Sequence, residues 1–261
     1  MSHIICVSSQ KGGTGKTTTA VNLAAALALF EKRTLLVDCD PLGTATTHLG
    51  IDKRRLSLDL FDVLTGSAAV KNALVKTDLA FLQALPARFR LIKAETALSS
   101  TPKKEQVLRL LLVDCREAFD YIIVDSPASF GYLNLCAMAS ADWLIIPFQF
   151  HLDAFEGLGY LLRIVHQVRK KLGSKLKVAG ILFTMCHDSE PFQREISKKV
   201  LSHLKENIFS TCIPWDNRLH EDTDRGKPLL LQDATSKSAR AHMRLAVEIM
   251  QLLKAQGAVG R

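Results

Sequence analysis

The chain is 261 residues long, and its 48% hydrophobic and 23% charged residues are ordinary globular proportions that exclude disordered and fibrous proteins. No apolar run reaches the roughly 18 residues that a membrane span needs, and no signal-peptide pattern opens the chain, so we expect a cytoplasmic protein. The formal net charge is +8, and the first 162 residues hold equal numbers of basic and acidic residues. The whole excess lies in the C-terminal third, where it indicates either a polyanion partner, such as nucleic acid or an anionic membrane, or a solvated lysine-rich surface.

Short apolar runs that alternate with amphipathic stretches predict an α/β fold. The runs are mostly unbroken, which is typical of strands buried on both faces of a parallel sheet. The predicted strands are Ile4–Ser8, Thr34–Val37, Phe81–Ala84, Tyr121–Val124, Trp143–Pro147, Val178–Thr184 and Ser210–Ile213. The predicted helices are Lys16–Phe30, Lys103–Glu117, Tyr132–Ser140, Ala154–Leu172, Pro191–Glu206 and Lys237–Ala255. This order predicts one domain over residues 1–261, a doubly wound, mostly parallel sheet with helices on both faces.

A glycine-rich segment, Gln10–Thr18, joins the first predicted strand to the first predicted helix. Its glycines let backbone N–H groups point inward, and the following helix presents its positive N-terminal end. Lys16 supplies a charge for the β- and γ-phosphates of a nucleotide, and Thr17 supplies a hydroxyl for Mg²⁺. The usual pattern starts with glycine where this chain has Gln10, but the strand, glycines, lysine, hydroxyl and helix come in the required order. The segment therefore predicts a phosphate-binding loop.

Aspartates follow two later strands at their carboxyl ends. Asp38 and Asp40 close the run Leu35–Val37, and Asp125 closes Tyr121–Val124. In open α/β sheets, ligands lie at the carboxyl ends of the strands, where carboxylates can hold Mg²⁺ or orient an attacking water. A single aspartate at such a place is often only a helix N-cap, but aspartates on two strands after a phosphate-binding loop predict a nucleotide and metal site.

The cysteines lie far apart and form no Cys-x-x-Cys pair, which predicts reduced core thiols. They are Cys6, Cys39, Cys115, Cys136, Cys186 and Cys212. A thiol, an imidazole and a carboxylate adjoin at Cys186, His187 and Asp188, but neighbours on a strand point to opposite faces, so we do not expect nucleophilic catalysis there. The histidines show no ligand spacing, and no zinc site is predicted.

Together these segments resemble the ParA/MinD family of deviant-P-loop ATPases, and most closely its short, Soj-like partition ATPases. The resemblance covers nearly the whole chain and is carried by Lys11–Thr18, Val37–Gly43, Ile123–Pro127 and Gly226–Pro228. It implies a slow, partner-stimulated ATPase with ATP and Mg²⁺ as cofactors. Because the phosphate-binding loop starts at residue 10, we expect no N-terminal DNA-binding extension of the kind that longer plasmid relatives carry.

The resemblance implies roles for individual residues. Lys11 matches the signature lysine that reaches the partner's phosphates in an ATP-bound homodimer, which would make hydrolysis depend on dimerisation. The implied catalytic residues are Lys11, Lys16 and Asp40, and the implied metal-binding residues are Thr17, Asp40 and Asp125. The implied nucleotide contacts are Lys11, Gly12, Gly13, Thr14, Gly15, Lys16, Thr17 and Thr18, with Met185, Pro214 and Asp216 beside the adenine.

The resemblance also implies partners: non-specific double-stranded DNA, and a ParB-like or other adaptor that triggers hydrolysis. The ATP dimer of the family binds DNA through basic residues of its C-terminal part and is associated with the nucleoid. Two basic positions of the family are missing here, at Trp215 and near Ser189. Other basic residues could replace them, namely Lys198, Lys199, Lys205, Arg218, Arg225, Lys227, Lys237, Arg240 and Arg244.

Several alternatives stay open. A MinD-like regulator would need a C-terminal amphipathic membrane helix, whereas Ser238–Lys254 has the pattern of a core-packing helix, so no membrane partner is expected. A ParA-like ATPase could also position a protein cargo rather than DNA. A metal-cluster carrier of the same superfamily would need the Cys-x-x-Cys pair that is absent, and no second substrate motif indicates a metabolic enzyme.

Overall fold

The computed structural model describes residues 2–129, 131–150, 154–186, 208–216 and 226–259, and its named strands form one eight-stranded sheet. The spatial order is β3-β4-β2-β5-β1-β6-β7-β8, and every neighbouring pair is parallel except β3 with β4. The strands are β1 (His3–Val7), β2 (Thr34–Asp38), β3 (Val75–Lys76), β4 (Leu82–Leu85), β5 (Tyr121–Asp125), β6 (Trp143–Gln149), β7 (Lys177–Cys186) and β8 (Ile213–Pro214). This is the predicted α/β architecture.

Ten α-helices are assigned in the described part of the chain. They are α1 (Lys16–Leu29), α2 (Thr44–His48), α3 (Leu60–Leu64), α4 (Val70–Ala73), α5 (Ala94–Ala97), α6 (Val107–Val113), α7 (Tyr132–Ser140), α8 (Ala154–Leu172), α9 (Leu229–Gln232) and α10 (Lys237–Val259). Short 3₁₀ turns lie at Lys53–Arg55, Phe89–Lys93, Lys104–Gln106 and Asp114–Arg116.

The helices cover the sheet in two layers, each with its own apolar core. On one face, α1 and α10 pack together over residues such as Ile5 and Ile123. On the other face, α6, α7 and α8 pack over residues such as Ile4 and Val124. Adjacent residues of one strand thus belong to different cores, which explains why the strand sequences are apolar without alternation. Both faces of the central strands are buried, and their carboxyl ends are left to carry polar groups.

The predicted bounds of several helices and strands differ from the structure. Lys103–Glu117 is divided into α6 and the two 3₁₀ turns that flank it, and α10 extends four residues past Ala255. The short elements between Thr44 and Ala97 were not predicted, because helices of four or five residues are too short to show a 3.6-residue period. The last predicted strand is shorter than expected and begins at Ile213. The predicted helix Pro191–Glu206 lies outside the described residues.

The prediction of reduced thiols is wrong for one pair of cysteines. Cys186 and Cys212 form a disulfide with a Cα–Cα distance of 6.7 Å, although 26 positions separate them in sequence. The pairing follows from the parallel alignment of β7 with β8, which places Thr184 opposite Ile213 and Cys186 opposite Pro214. The remaining four cysteines are free and buried, as predicted. His187 and Asp188 lie outside the described residues.

Candidate nucleotide-binding site

The segment between β1 and α1 forms an open, glycine-dependent turn. Gly13 and Gly15 have positive φ angles of 76° and 81°, a conformation that side-chain-bearing residues rarely adopt. A Cβ atom placed on Gly12 or Gly13 would meet nothing within 4 Å, so this side of the turn faces open space. Helix α1 starts directly afterwards and has no acidic residue in its first turn. Its positive end is therefore left to attract an anion.

Lys16 folds back across this turn instead of extending into solvent. Its side chain is buried, and its Nζ donates to the carbonyl oxygen of Lys11 at 3.0 Å and to the Ser9 hydroxyl at 3.4 Å. Burial lowers the pKa of Lys16, and the charges of Asp125 and Asp40 act in the opposite direction. The ammonium group thus lies where the turn and both strand-end carboxylates converge.

Hydroxyl groups hold the turn in its shape. The Ser9 and Thr14 hydroxyls are hydrogen-bonded to each other, and the Thr14 hydroxyl donates to the carbonyl oxygen of Lys11 at 3.2 Å. From β7, the Thr184 hydroxyl donates to the carbonyl oxygen of Thr14 at 3.0 Å. Thr14, a predicted nucleotide contact, therefore uses both its buried side chain and its carbonyl oxygen within the fold.

Asp125 ends β5 as a fully buried carboxylate. Neither of its oxygens has a hydrogen-bond partner that meets normal geometry in the described part of the chain. Burial and then the neighbouring Asp38 raise the pKa of Asp125 well above its usual value, while the nearby Thr17 hydroxyl and the Lys16 charge oppose that shift. Two orphaned buried oxygens beside a hydroxyl are a donor set that suits a hard, oxygen-seeking cation such as Mg²⁺.

The two aspartates at the end of β2 have different surroundings. Asp38 is buried and accepts hydrogen bonds from the Thr46 amide at 2.8 Å, the Thr46 hydroxyl at 2.7 Å and the Asp40 amide at 3.1 Å. Burial raises the pKa of Asp38 to about 6, against these hydrogen bonds. Asp40 is half-buried, and its Oδ1 accepts from the Leu42 amide at 2.9 Å. Asp38 therefore fixes the loop that carries Asp40, and Asp40 is the one that faces the cavity.

A cavity of about 320 Å³ brings the predicted residues together. Its lining includes Gly12, Gly13, Gly15, Lys16, Thr17, Thr18 and Asp40, together with Met185, Pro214 and Asp216 from the other side of β1. Lys11, Thr14 and Asp125 do not line it, although the Lys11 carbonyl oxygen and the Asp125 charge both act on Lys16, which does. Thr44, His48 and His242 also line the cavity and were not predicted, because no local motif marks them.

The predicted DNA-contact residues are only partly described. Lys227, Lys237 and Arg240 are exposed, and so is Arg244. Lys237, Arg240 and Arg244 recur at helical spacing along α10 and thus share one face of that helix. Lys198, Lys199, Lys205, Arg218 and Arg225 lie outside the described residues.

Comparison with known proteins identifies the family. The family model described as an AAA domain matches residues 2–178. A chromosome partitioning protein ParA of Myxococcus xanthus is 39% identical over 95% of this chain and 88% of its own length. The sporulation initiation inhibitor protein Soj of Bacillus subtilis is 38% identical over 95% of this chain and 98% of its own length. The chain belongs to the ParA and Soj family of partition ATPases.

The solved structures agree on the fold. A cobyrinic acid a,c-diamide synthase of Mycobacterium smegmatis, with bound ATP analogue and magnesium, superposes with a TM-score of 0.86 at 30% identity, over 98% of this chain and 97% of that one. The recognition from motifs and the predicted α/β fold are thus both confirmed. No helix in the described part of this ATPase is long and apolar enough to cross a membrane.

Proposed function

We propose that this protein binds ATP with Mg²⁺ and hydrolyses it in the cavity beside the phosphate-binding loop. The observation that carries the proposal is the position of Lys16. Its buried ammonium group lies near Asp40 and Asp125, whose negative charges favour its protonated form. A cation so placed can neutralise the β- and γ-phosphates, and phosphoryl transfer depends mainly on positioning and charge stabilisation. Asp40, on a loop held by Asp38, orients the attacking water.

Thr17 and Asp125 are the residues that would hold Mg²⁺, with Asp40 close by. All three present oxygen atoms, and neither oxygen of Asp125 has a hydrogen-bond partner of normal geometry among the described residues. When bound, Mg²⁺ supplies positive charge to the phosphate oxygens during hydrolysis. The solved relative that binds an ATP analogue together with magnesium supports this assignment.

Lys11 supports the second part of the proposal, an ATP-dependent homodimer. The residue is exposed at the mouth of the loop, and its carbonyl oxygen is the acceptor for Lys16. Its backbone is engaged by the site of its own subunit, and its exposed side chain would reach the phosphates of a second subunit. Each nucleotide would then be neutralised from both sides, which makes hydrolysis depend on dimerisation.

The third part of the proposal is binding of double-stranded DNA by the ATP dimer, with a ParB-like adaptor that stimulates hydrolysis and a cargo of chromosome or plasmid DNA. The names of the two relatives, one a chromosome partitioning protein, support this function. The exposed face of α10 with Lys237, Arg240 and Arg244 lies in the part of the chain that carries the whole net charge of +8. Such a surface binds phosphates without reading base sequence.

The test is duplex binding by the Asp40→Ala protein, which should hold ATP without turning it over. We expect binding with ATP, little with ADP or without nucleotide, and a steep loss between about 50 and 200 mM salt. The double variant Arg240→Glu and Arg244→Glu should weaken DNA binding, whereas the matched charge reversal of the exposed Lys71 and Lys76 should leave it unchanged.

Each outcome points to one part of the proposal. If Lys16→Ala retains wild-type ATP affinity, the nucleotide site is wrong. If the ATP dimer forms but binds no duplex at any salt concentration, the DNA part fails. Binding to anionic vesicles instead of DNA would then indicate a membrane-associated regulator.

A further inference from the structure

His242, on α10, has a defined tautomer. The side chain is fully buried, and its Nδ1 lies 2.9 Å from the carbonyl oxygen of Ser238. A carbonyl oxygen can only accept, so Nδ1 carries the hydrogen and donates it. The other ring nitrogen, Nε2, is then an acceptor with a free lone pair. Nε2 is buried and has no hydrogen-bond partner among the described residues.

The same imidazole lines the nucleotide cavity. A ligand bound in the cavity can donate a hydrogen bond to Nε2. A buried acceptor without a donor is unfavourable, and such a ligand would satisfy it.

The order of the strands indicates which part of a nucleotide reaches His242. Asp38 and Asp125 lie on β2 and β5, on one side of β1 and its phosphate-binding loop. Met185 and Pro214 lie on β7 and β8, on the opposite side, and α10 packs against β8. With the γ-phosphate directed to the carboxylates, the base extends toward β7, β8 and α10.

We propose that Nε2 of His242 accepts a hydrogen bond from the 6-amino group of adenine and selects adenine nucleotides over 6-oxopurine nucleotides. This inference rests on the proposed function and adds a specificity residue to it. A 6-oxopurine presents a carbonyl oxygen at the same position, so two lone pairs would face each other.

The ring also stays neutral. Burial lowers the pKa of His242 to about 4, with the Ser238 contact opposing that shift. Near neutral pH the imidazole is therefore uncharged, and its Nε2 accepts rather than donates. The tautomer of His242 therefore favours adenine over a 6-oxopurine, and protonation does not reverse this preference near neutral pH.

The experiment measures Mg²⁺-dependent binding of ATP, inosine triphosphate (6-oxo) and purine riboside triphosphate (6-hydrogen) by calorimetry. For the wild-type protein we expect the order ATP, then the 6-hydrogen nucleotide, then inosine triphosphate, with about tenfold between the first and the last. His242→Leu should lower ATP affinity and bring the ratio of ATP to inosine triphosphate near one. Ile249→Val, a buried change on the same helix outside the cavity lining, is the matched control and should keep the wild-type ratio.

The wild-type series needs no variant, so the inference is tested even if His242→Leu does not fold. Equal affinity of the wild-type protein for ATP and inosine triphosphate overturns it, and so does a preference for ATP that persists in His242→Leu. If His242→Leu instead loses affinity for ATP but not for 2′- or 3′-deoxy-ATP, the contact is to ribose and the base assignment is wrong. If none of the three nucleotides binds the wild-type protein, the proposed function itself has failed.

Discussion

Thr46 allows a quantitative test of how the loop carrying Asp40 is held. Its buried hydroxyl donates to Asp38 at 2.7 Å and accepts from the Ala87 amide at 3.0 Å. Thr46→Val keeps the shape of the side chain and removes both bonds. A hydrogen bond to a charged group contributes about 1.5 to 3 kcal/mol, and an unsatisfied buried amide costs about 1 to 3 kcal/mol. We expect the free energy of unfolding to fall by about 3 to 5 kcal/mol.

Urea denaturation at neutral pH measures this loss, and Thr47→Val is the matched control. Thr47 is exposed, and its hydroxyl donates to the Gly43 carbonyl oxygen, so its replacement should cost well under 1 kcal/mol by the usual scale for surface changes. ATP turnover should also fall in Thr46→Val, because the backbone of Asp40 loses a fixed neighbour. A cost no larger than that of the control would refute the reasoning.

The difference in free energy of unfolding between Thr46→Val and wild type should change with pH in a defined direction. The Thr46 hydroxyl stabilises the ionised form of Asp38, whose pKa is about 6 in the folded protein. Its removal raises that pKa further, so the extra loss of stability develops as the pH rises through about 6. The gap between Thr46→Val and wild type should therefore be larger at about pH 8 than at about pH 5. Groups common to both proteins, such as the histidines, cancel in this comparison.

Three further predictions concern other parts of the fold. Asp125→Asn should raise the melting temperature of the nucleotide-free protein near pH 8, because the raised pKa of Asp125 means that its ionisation costs stability as pH rises, and the gain should shrink toward pH 4. The same variant should weaken the Mg²⁺ dependence of ATP binding. An unchanged melting temperature and an unchanged Mg²⁺ dependence would contradict the role of Asp125. Alkylation in denaturant without reductant should modify four cysteines, and six after reduction, because Cys186 and Cys212 are joined; six without reduction would disprove the disulfide. Gly180→Ala should cost about 1 to 3 kcal/mol in urea denaturation, since its Cβ would lie 2.7 Å from the Phe209 ring, and a neutral effect would show that the ring can move.

The phosphate-binding loop could be predicted because all its parts are contiguous. Strand, glycines, Lys16, Thr17 and helix follow one another, so the positive φ angles of Gly13 and Gly15 are foreseeable from sequence order alone. The parallel sheet was equally accessible, since an apolar run without alternation already indicates burial on both faces.

Features that depend on long-range register were not predictable in this way. Cys186 and Cys212 meet only because β7 lies beside β8, and nothing near either cysteine indicates that pairing. His242 lies on a helix whose pattern indicates core packing, and its place in the cavity lining depends on how α10 lies against β8. These contacts depend on how distant segments pack together, and no local sequence pattern indicates them.

The aspartates show a third limit, because the sequence does not reveal that Asp38 and Asp40 have different surroundings. Asp38 and Asp40 end the same strand, and either could face a metal on pattern alone. Only the hydrogen bonds from Thr46 show that Asp38 is committed to the loop. Thr46 itself lies eight residues away on the unpredicted helix α2, so its partnership with Asp38 could not be read from the motif.

The charges around Lys16 explain why this site lowers the stability of the protein without ligand. Two buried carboxylates, Asp38 and Asp125, lie at the same level of adjacent strands, and burial raises the pKa of each. Lys16 is itself desolvated, and the two oxygens of Asp125 have no hydrogen-bond partner of normal geometry in the described part of the chain. A fold selected only for stability would not keep Asp125 in this place. The arrangement becomes favourable when a divalent cation and a polyanion enter together, because the cation satisfies Asp125 while the anion meets Lys16 and the helix end. Binding of Mg²⁺ with ATP is therefore expected to stabilise this fold more than either component does alone.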